Sequence, residues 1–293
     1  MIQRNNNLSV LPFYESIEEQ NHRRSYAYGD VYPLYTPVGY VPAFQIVVPH
    51  GDYSFSAARL YTSKGVQRAS VLSALQTAGL ARYQFTDYDV IVFPSLAGGI
   101  YSGEGQYYLT LEMTATNSTM TLYSDIFTAV GNTNAYLKLE WWDGQDFIMD
   151  GCRIVYAMNS EQHPLFHNKL YLDTQLGKPD YEFDEEGEQR DGYFFPEKQV
   201  SLKKFRCTIL ASEYLCDVMR FVRLSDYVKV TDRYGHIYRA DTFLITPKWE
   251  VQGNLASMEI EFTCDTVAKK IPRPLSITGD FNDDYNDDFF NQQ

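Results

Sequence analysis

Apolar and polar residues alternate with a period of two along much of the chain, and this pattern predicts a mainly β protein. The clearest example is residues 258–265, where Met258, Ile260, Phe262 and Cys264 alternate with acidic residues and threonine. Residues two apart lie on the same face of a strand, so one face of this strand is buried and the other meets solvent. Similar strands are predicted near 44–48, 90–93, 107–113 and 120–127, with glycine-rich turns at 97–99 and 102–105. Short strands joined by such turns favour an N-terminal β-sandwich.

The second half of the chain combines strands with one amphipathic helix. Strands are predicted at 137–142, 152–158, 205–209, 227–231 and 258–264, and a long strand at 236–249 that is broken by Pro247. Within residues 213–223, Leu215, Val218, Met219 and Val222 fall at helical spacing, and Ser212 is placed to cap the helix. We therefore expect an α+β domain, an antiparallel sheet that carries one helix. A shorter helix is expected at 71–78.

Shifts in composition divide the chain into four predicted segments. Residues 1–42 are rich in Tyr and Pro and are expected to form an extended N-terminal arm. Residues 43–131 form the β-sandwich domain, which ends at the loop-forming residues 131–134. Residues 132–278 form the antiparallel sheet plus helix domain, with a long loop at 159–199. Residues 279–293 form an acidic aromatic tail that cannot build a core of its own.

Charge and hydropathy exclude several functional classes. The net charge of −13 argues against a sequence-specific nucleic-acid partner, because such proteins neutralise phosphates with clustered Lys and Arg. No apolar run is long enough to span a bilayer, so no membrane insertion is expected. The N-terminus lacks the pattern of a signal peptide, and the four cysteines are widely spaced. We expect the cysteines to be small core residues in a protein that folds in a reducing cytoplasm.

Residues that could carry chemistry do not form a convincing site. His163 and His167 have a spacing that binds metal on a helix, but Pro164 between them disfavours a helix. The tail run 280–285 resembles a calcium loop, yet Tyr285 stands where a glycine is needed and no Glu closes the loop. Motifs for nucleophilic catalysis or phosphate binding are absent from the sequence. The sequence thus predicts no enzyme, no metal and no cofactor.

Aromatic residues are unusually abundant, with 24 Tyr and 18 Phe. Aromatic side chains are enriched in strands and where subunits meet, so this surplus favours both a β fold and an oligomer. The residues expected to contact partners lie in the arm and the tail: Tyr32, Tyr35, Tyr40, Phe281, Tyr285, Phe289 and Phe290. For the tail, a solubilising role is an equally weighted alternative.

Five segments are similar to segments of known proteins, namely 11–15, 32–37, 140–143, 169–179 and 191–198. Together they span most of the chain between Leu11 and Ile271, and they resemble structural proteins of phages and prophages of gut Bacteroidetes, including crAss-like phages. None of these segments offers a catalytic residue. The helix on an antiparallel sheet is also similar to domains that build rings in phage tails.

This resemblance implies a structural subunit of the virion. Such a subunit would form or decorate an oligomeric ring in the tail or portal-to-tail adaptor, and its partners would be copies of itself and neighbouring tail or portal proteins. The alternative is a glycan- or receptor-binding β-sandwich module of a phage baseplate or a bacterial cell surface, since exposed aromatic rings stack on sugars.

Overall fold

The computed structural model describes residues 10–20, 34–51, 53–115, 118–143, 147–149, 154–156, 168–249 and 255–270. Among these residues, strands make up 60% and helices 11%, which confirms the predicted mainly β class. It also has the expected combination of a β-sandwich with an α+β arrangement.

The strands follow one another with few helices between them. In chain order they are β1 (Phe13–Tyr14), β2 (Tyr35–Pro37), β3 (Phe44–Pro49), β4 (Ser54–Thr62), β5 (Gln67–Ser70), β6 (Ala81–Gln84), β7 (Tyr88–Phe93), β8 (Gly105–Ala115), β9 (Ser118–Ser124), β10 (Phe127–Val130), β11 (Leu137–Trp142), β12 (Phe147–Met149), β13 (Ile154–Tyr156), β14 (Asn168–Leu172), β15 (Asp180–Arg190), β16 (Tyr193–Ser212), β17 (Tyr227–Thr231), β18 (Ile237–Arg239), β19 (Thr242–Trp249) and β20 (Leu255–Lys270). The helices are α1 (Leu72–Ala78), α2 (Glu213–Val222) and a 3-10 helix, Thr133–Ala135.

One large sheet of eleven strands runs through the protein. Its order is β1-β9-β8-β10-β2-β14-β11-β17-β18, while β4 pairs with β8 and β5 pairs with β4. A three-stranded sheet has the order β3-β7-β6, a four-stranded sheet the order β15-β16-β20-β19, and β12 and β13 form a hairpin. β10 and β2 run parallel. The other pairs of the large sheet are antiparallel, and so are the pairs of the three-stranded sheet, the β12–β13 hairpin and the pair β19–β20.

Two main hydrophobic cores lie on the large sheet. In the first, Phe44, Ile46 and Phe93 of the three-stranded sheet pack with Leu60 and Leu109 of the large sheet, which is the β-sandwich. The second core combines apolar residues of β11, β14 and β17 with those of α2, β16, β19 and β20. The large sheet therefore supplies one wall of each core.

The chain divides into two compact units. The first contains residues 1–180 and 204–265, and the second contains residues 181–203 and 266–293. Both main cores belong to the first unit. The described part of the second unit consists of residues 181–203 in the β15–β16 hairpin and residues 266–270 of β20. The expected boundary near residue 131 stays a prediction.

The expectation of a long loop at 159–199 is wrong from residue 168 onward. This stretch contains β14, β15 and the beginning of the twenty-residue strand β16. A two-residue turn at Asp191 and Gly192 joins β15 to β16, and both residues have positive φ angles of 49° and 85°. Such a turn matches the twist of paired strands, so the acidic segment forms a hairpin without needing an apolar face of its own.

Pro247 does not break its strand as expected. It lies inside β19, opposite Met258 of β20. The predicted long strand is instead interrupted earlier, between β18 and β19. β19 is the edge strand of the four-stranded sheet. Proline is tolerated there because an edge strand does not need every N–H for pairing.

Helix α2 has the predicted position and N-cap. The Ser212 hydroxyl accepts a hydrogen bond from the backbone N–H of Leu215 at 3.2 Å, and Glu213 lies in the first turn. Six of its ten residues are buried, namely Leu215, Cys216, Val218, Met219, Phe221 and Val222. The helix is therefore part of the second core.

Removal of the Ser212 cap should lower the free energy of unfolding by about 1 kcal/mol, because a helix N–H loses its acceptor. Urea denaturation of Ser212→Ala measures this change. Ser212→Thr, which keeps a hydroxyl acceptor, should retain most of the stability. Equal losses in the two variants would show that the cap contributes little.

Three of the four cysteines have the predicted environment. Cys207, Cys216 and Cys264 are buried in the second core and are not disulfide-bonded. Burial raises the pKa of Cys207 to about 12 and that of Cys216 to about 11, so both are thiols at neutral pH. Cys152 lies outside the described residues.

Candidate interaction surfaces

The residues predicted to contact partners are mostly outside the described part of the chain. These are Tyr32 in the arm and Phe281, Tyr285, Phe289 and Phe290 in the tail. His163, His167 and the acidic run at 280–285 also lie outside it. Tyr35 and Tyr40 are described, and both pack on their own chain.

The described parts of the predicted arm belong to the folded body. Val10 and Leu11 are buried in the two cores, and Tyr35 begins β2 inside the large sheet. The Tyr35 ring lies 4.7 Å from that of Tyr136, and Tyr40 is 7% exposed. In this conformation Tyr40 is covered by its own chain, because its apolar neighbours make this stretch part of the core.

A basic face occupies one side of β14, β11, β17 and β18. We call it the lysine face and define it by Lys138, Glu140, Trp142, Lys169, Tyr227, Lys229 and Arg239. Cross-strand pairing places Lys169, Glu140, Lys229 and Arg239 in one row across the four strands. The opposite side of these strands carries Leu139, Trp141, Leu170 and Val228, which are buried. Strict alternation along each strand thus separates the core from the lysine face.

Glu140 is the centre of the lysine face. It is 3% exposed, and its carboxylate lies 2.8 Å from Nζ of Lys229, 3.1 Å from Nζ of Lys138 and 3.6 Å from Nζ of Lys169. Burial alone would raise the pKa of Glu140, but the hydrogen bonds and charges of Lys229 and Lys138 outweigh it and lower the pKa. Burial likewise lowers the pKa of Lys169, although the charge of Glu140 opposes this change. One carboxylate therefore faces three ammonium groups.

Aromatic rings border these charges. The Trp142 ring stacks on that of Tyr227 with centroids 5.5 Å apart, and Nζ of Lys229 lies 5.7 Å from the Trp142 ring centroid. Nζ of Lys169 lies at the same distance from the ring of Tyr40. Tyr227 is half exposed, and Arg239 is exposed at the edge of the row. The lysine face thus offers positive charge beside flat apolar surface.

The β15–β16 hairpin is the second candidate surface. Four of its aromatic side chains are exposed, with Phe183 at 76%, Tyr193 at 72%, Tyr181 at 62% and Phe194 at 48%. β15 is an edge strand of its sheet. Large exposed aromatics and an open strand edge are both typical of surfaces that other chains cover.

Carboxylates lie on one face of β15. Glu182, Asp184, Glu186 and Glu188 alternate with Tyr181 and Phe183, so the acids share one side of the strand and the rings the other. We call these four residues the acidic hairpin face. Glu186 pairs with Lys198 of β16 at 2.9 Å. The acidic hairpin face is thus held in part by an ion pair within the hairpin.

A further polar cluster involves Asp89, which is fully buried. His50 Nδ1 lies 2.8 Å from Asp89 Oδ1, and Arg82 Nε donates to Oδ2 at 3.1 Å. The hydrogen bonds and charges of these partners lower the pKa of Asp89 despite the opposing effect of burial. Because Arg82 also donates to the carbonyl of Gly51, the cluster ties β6 and β7 to the chain that follows β3. Its arrangement stabilises the three-stranded sheet.

Two other classes of site are not found within the described ranges. No group of three or more His, Cys, Asp or Glu side chains is placed there to hold a metal ion. Among the described residues, no helix has the length and apolar content needed to cross a membrane.

Sequence reasoning missed both surfaces. The alternation of Lys138, Glu140 and Trp142 is visible in the sequence, but Lys169 and Lys229 come from distant strands, and only the pairing of strands brings them together. The hairpin could be predicted from the sequence, because the Asp191-Gly192 pair lies between two segments in which the character of the side chains alternates. Comparison of the chain with protein-family models, curated proteins and solved structures found no match to any of them.

Proposed function

We propose that this protein is a structural subunit of a bacteriophage particle that forms or decorates an oligomeric ring in the tail or portal-to-tail adaptor. The placement in a phage rests on the sequence resemblance described above. The observation on the molecule that carries the proposal is the β15–β16 hairpin with its exposed aromatic side chains. A role without catalysis is part of the same proposal.

The hairpin supports an assembly role on physical grounds. Exposed Phe183 and Tyr181 each leave a ring in water, which costs free energy that burial in a partner recovers at about 25 cal/mol per Å². β15 is also an edge strand, with no neighbour on its outer side among the strands that the structure describes, and such an edge can pair with another chain. A second chain that covers this strand satisfies both needs, and subunits of closed rings use such patches to meet their neighbours.

Detection of the chain in purified virions tests the proposal. We expect quantitative mass spectrometry to find it at a fixed copy number that matches a symmetric ring relative to the portal protein. A non-structural protein of the same phage, expressed at comparable level in infected cells, is the control for carry-over. Absence of the chain from virions that retain all tail proteins would refute the virion role.

A binding module is the second candidate, and one observation favours it. Trp142 and Tyr227 stack with an interplanar angle of 15° beside Lys229, and Tyr227 is half exposed. Sugar rings stack on such flat aromatic surfaces.

If this module binds glycans, Tyr227→Ala should weaken binding on a glycan array by about tenfold, because the sugar loses its stacking platform. Tyr234→Ala is the matched control, since Tyr234 is also exposed but lies in the turn between β17 and β18. Equal binding by the two variants, or no binding by the wild type, would count against this candidate.

A further inference from the structure

We infer that the lysine face of one subunit binds the acidic aromatic tail, residues 279–293, of a second copy of the same chain. This inference rests on the proposed function, because it names the partner of a surface within an assembly. The contact is heterologous, since two different parts of the chain meet. Each copy therefore offers a tail to one neighbour and a lysine face to another.

The tail sequence repeats a four-residue pattern of acids and rings. Residues 280–283 are Asp-Phe-Asn-Asp, residues 284–287 are Asp-Tyr-Asn-Asp, and residues 288–289 begin a third repeat with Asp-Phe. Side chains four positions apart share one side of a strand and also of a helix, so this spacing suits the binding of all three rings to one surface. The side chains of the tail include five aspartates and no base, which gives a formal charge of −5. Solubility requires charge but no regularly spaced rings, and the repeat therefore favours a tail that binds.

The lysine face has the complementary chemistry. Its four basic side chains and the single carboxylate of Glu140 give a net charge of +3. Apolar surface borders the basic row on both sides. On one side Tyr227 stacks on Trp142, and on the other Ile237 of β18 is 62% exposed. In a protein of net charge −13, a surface with cations between exposed apolar groups matches both the acids and the rings of the tail.

The row of charges and the repeat of the tail have similar lengths. The row from Lys169 to Arg239 crosses three gaps between neighbouring strands, which is roughly 14 Å. Four residues of an extended peptide span roughly 13 Å. An extended peptide that lies across the strands thus brings the first aspartates of two successive repeats to the two ends of the row.

The acids of the β15–β16 hairpin are a weaker match for the lysine face. Glu186 pairs with Lys198, and Glu182 and Glu188 also have interaction partners in their own chain. Each of them would have to give up an existing interaction to bind elsewhere, and this loss offsets the gain. In the tail no basic residue lies between the acids to compete for them.

Two variants of the full chain test the inference. The tail variant combines Asp280→Asn, Asp284→Asn and Asp288→Asn, and the face variant combines Ile237→Glu with Arg239→Glu. Both face residues are exposed on the edge strand β18, and the ion pairs of Glu140 involve neither of them. Thermal melting of each purified chain verifies its fold. Self-association is measured by sedimentation velocity and mass photometry at roughly 0.05 M and roughly 0.5 M salt.

Matched controls carry equivalent changes elsewhere. Val66→Glu with Arg68→Glu corresponds to the face variant, because these two exposed residues have the same spacing and lie at β5, another edge strand of the large sheet. The control for the tail variant removes three exposed acids of the folded body by Glu15→Gln, Glu18→Gln and Asp87→Asn.

We expect the wild-type chain to form oligomers that weaken at the higher salt concentration. The tail variant and the face variant should each weaken association about tenfold or more, because each removes attraction between the two surfaces. The controls should leave association unchanged.

Crosslinking identifies the binding site and the copy that supplies it, and it keeps every charge. The photoreactive residue p-benzoylphenylalanine replaces Tyr285 in an isotope-labelled chain, which is then mixed with the unlabelled wild type. Irradiation should join the tail of the labelled chain to β17 or β18 of the unlabelled chain, and mass spectrometry identifies the joined peptides. This measurement decides the inference even where the face variant fails to fold.

Three results overturn the inference. If the wild type stays monomeric at both salt concentrations, or if the crosslink joins the tail only to its own copy, a second copy is not the partner. If oligomers form that neither variant weakens, the contact lies elsewhere. The structural role in the virion is tested separately, by the copy-number measurement described above.

Discussion

Replacement of Glu140 by alanine should lower the free energy of unfolding by about 3 kcal/mol. Glu140 is 3% exposed and contacts the ammonium groups of Lys138, Lys169 and Lys229. Its loss leaves three like charges crowded on one side of β11 with no counter-charge. Breaking a buried ion pair by removing one partner typically costs about 3–5 kcal/mol. The lower end is expected because the lysines keep partial access to water.

Glu112→Ala is the matched control for this measurement. Glu112 also forms a cross-strand ion pair on the large sheet, with Arg59 of β4, but both side chains are about one-third exposed. Such a pair contributes only about 0–1 kcal/mol. Urea denaturation of the two variants should therefore give clearly different losses. Similar losses would mean that the burial of Glu140 does not determine its contribution.

The elements that sequence reasoning predicted best have one buried face. In β8 and β20 every second side chain is apolar, and in α2 the apolar residues follow helical spacing, so the period of the pattern identifies the element. Ser212 was identifiable as a cap because its residue type and its place before the apolar stripe agree. In these segments the local sequence pattern and the tertiary packing favour the same secondary structure.

The elements that escaped prediction depend on pairing with distant residues. The six carboxylates of β15 suggest a loop in solvent, yet the tight turn and the pairing with β16 hold this segment as a strand whose two faces are largely exposed. Pro37 and its neighbours lack alternation and therefore suggest an extended arm, yet β2 pairs with β10 and β14. A segment of polar residues can still form a strand when a distant segment supplies the partners of its backbone hydrogen bonds.

The lysine face shows the same limit for a candidate site. Sequence alternation places Lys138 and Glu140 on one side of β11, and this much is local. The convergence of Lys169 and Lys229 on the same carboxylate requires the register of β14 and β17 with β11. The site is composed of residues from three separate strands, so no contiguous sequence motif predicts it.

Asp143→Asn should raise the free energy of unfolding at pH 7 by as much as about 3 kcal/mol. Asp143 follows β11 and is 2% exposed. Burial raises its pKa from 3.8 to about 6, although the hydrogen bond from the backbone N–H of Asp226 at 2.9 Å opposes this change. Each unit of pKa difference between the folded and unfolded states corresponds to about 1.4 kcal/mol. Asparagine keeps an oxygen acceptor for Asp226 and removes the buried charge.

The sign of this effect depends on pH. Between about pH 4 and pH 6 the folded protein holds a proton on Asp143 that the unfolded chain has released, so the contribution of Asp143 to stability falls as pH rises. Above that window the full penalty is present. The gain in Asp143→Asn should therefore grow from near zero below pH 4 to its maximum above pH 6. Urea denaturation across this range measures it, and a gain that does not vary with pH would contradict the assignment.

Asp89 provides a comparison of opposite sign. It is also buried, but Arg82 and His50 lower its pKa, so its charge stabilises the fold above its unfolded pKa and that contribution is lost as pH falls through the lowered value. Asp89→Asn should therefore destabilise the protein at pH 7, where Asp143→Asn stabilises it. The two aspartates differ in their partners and not in their burial. Buried carboxylates of this protein stabilise it where basic side chains reach them, and the same balance governs Glu140.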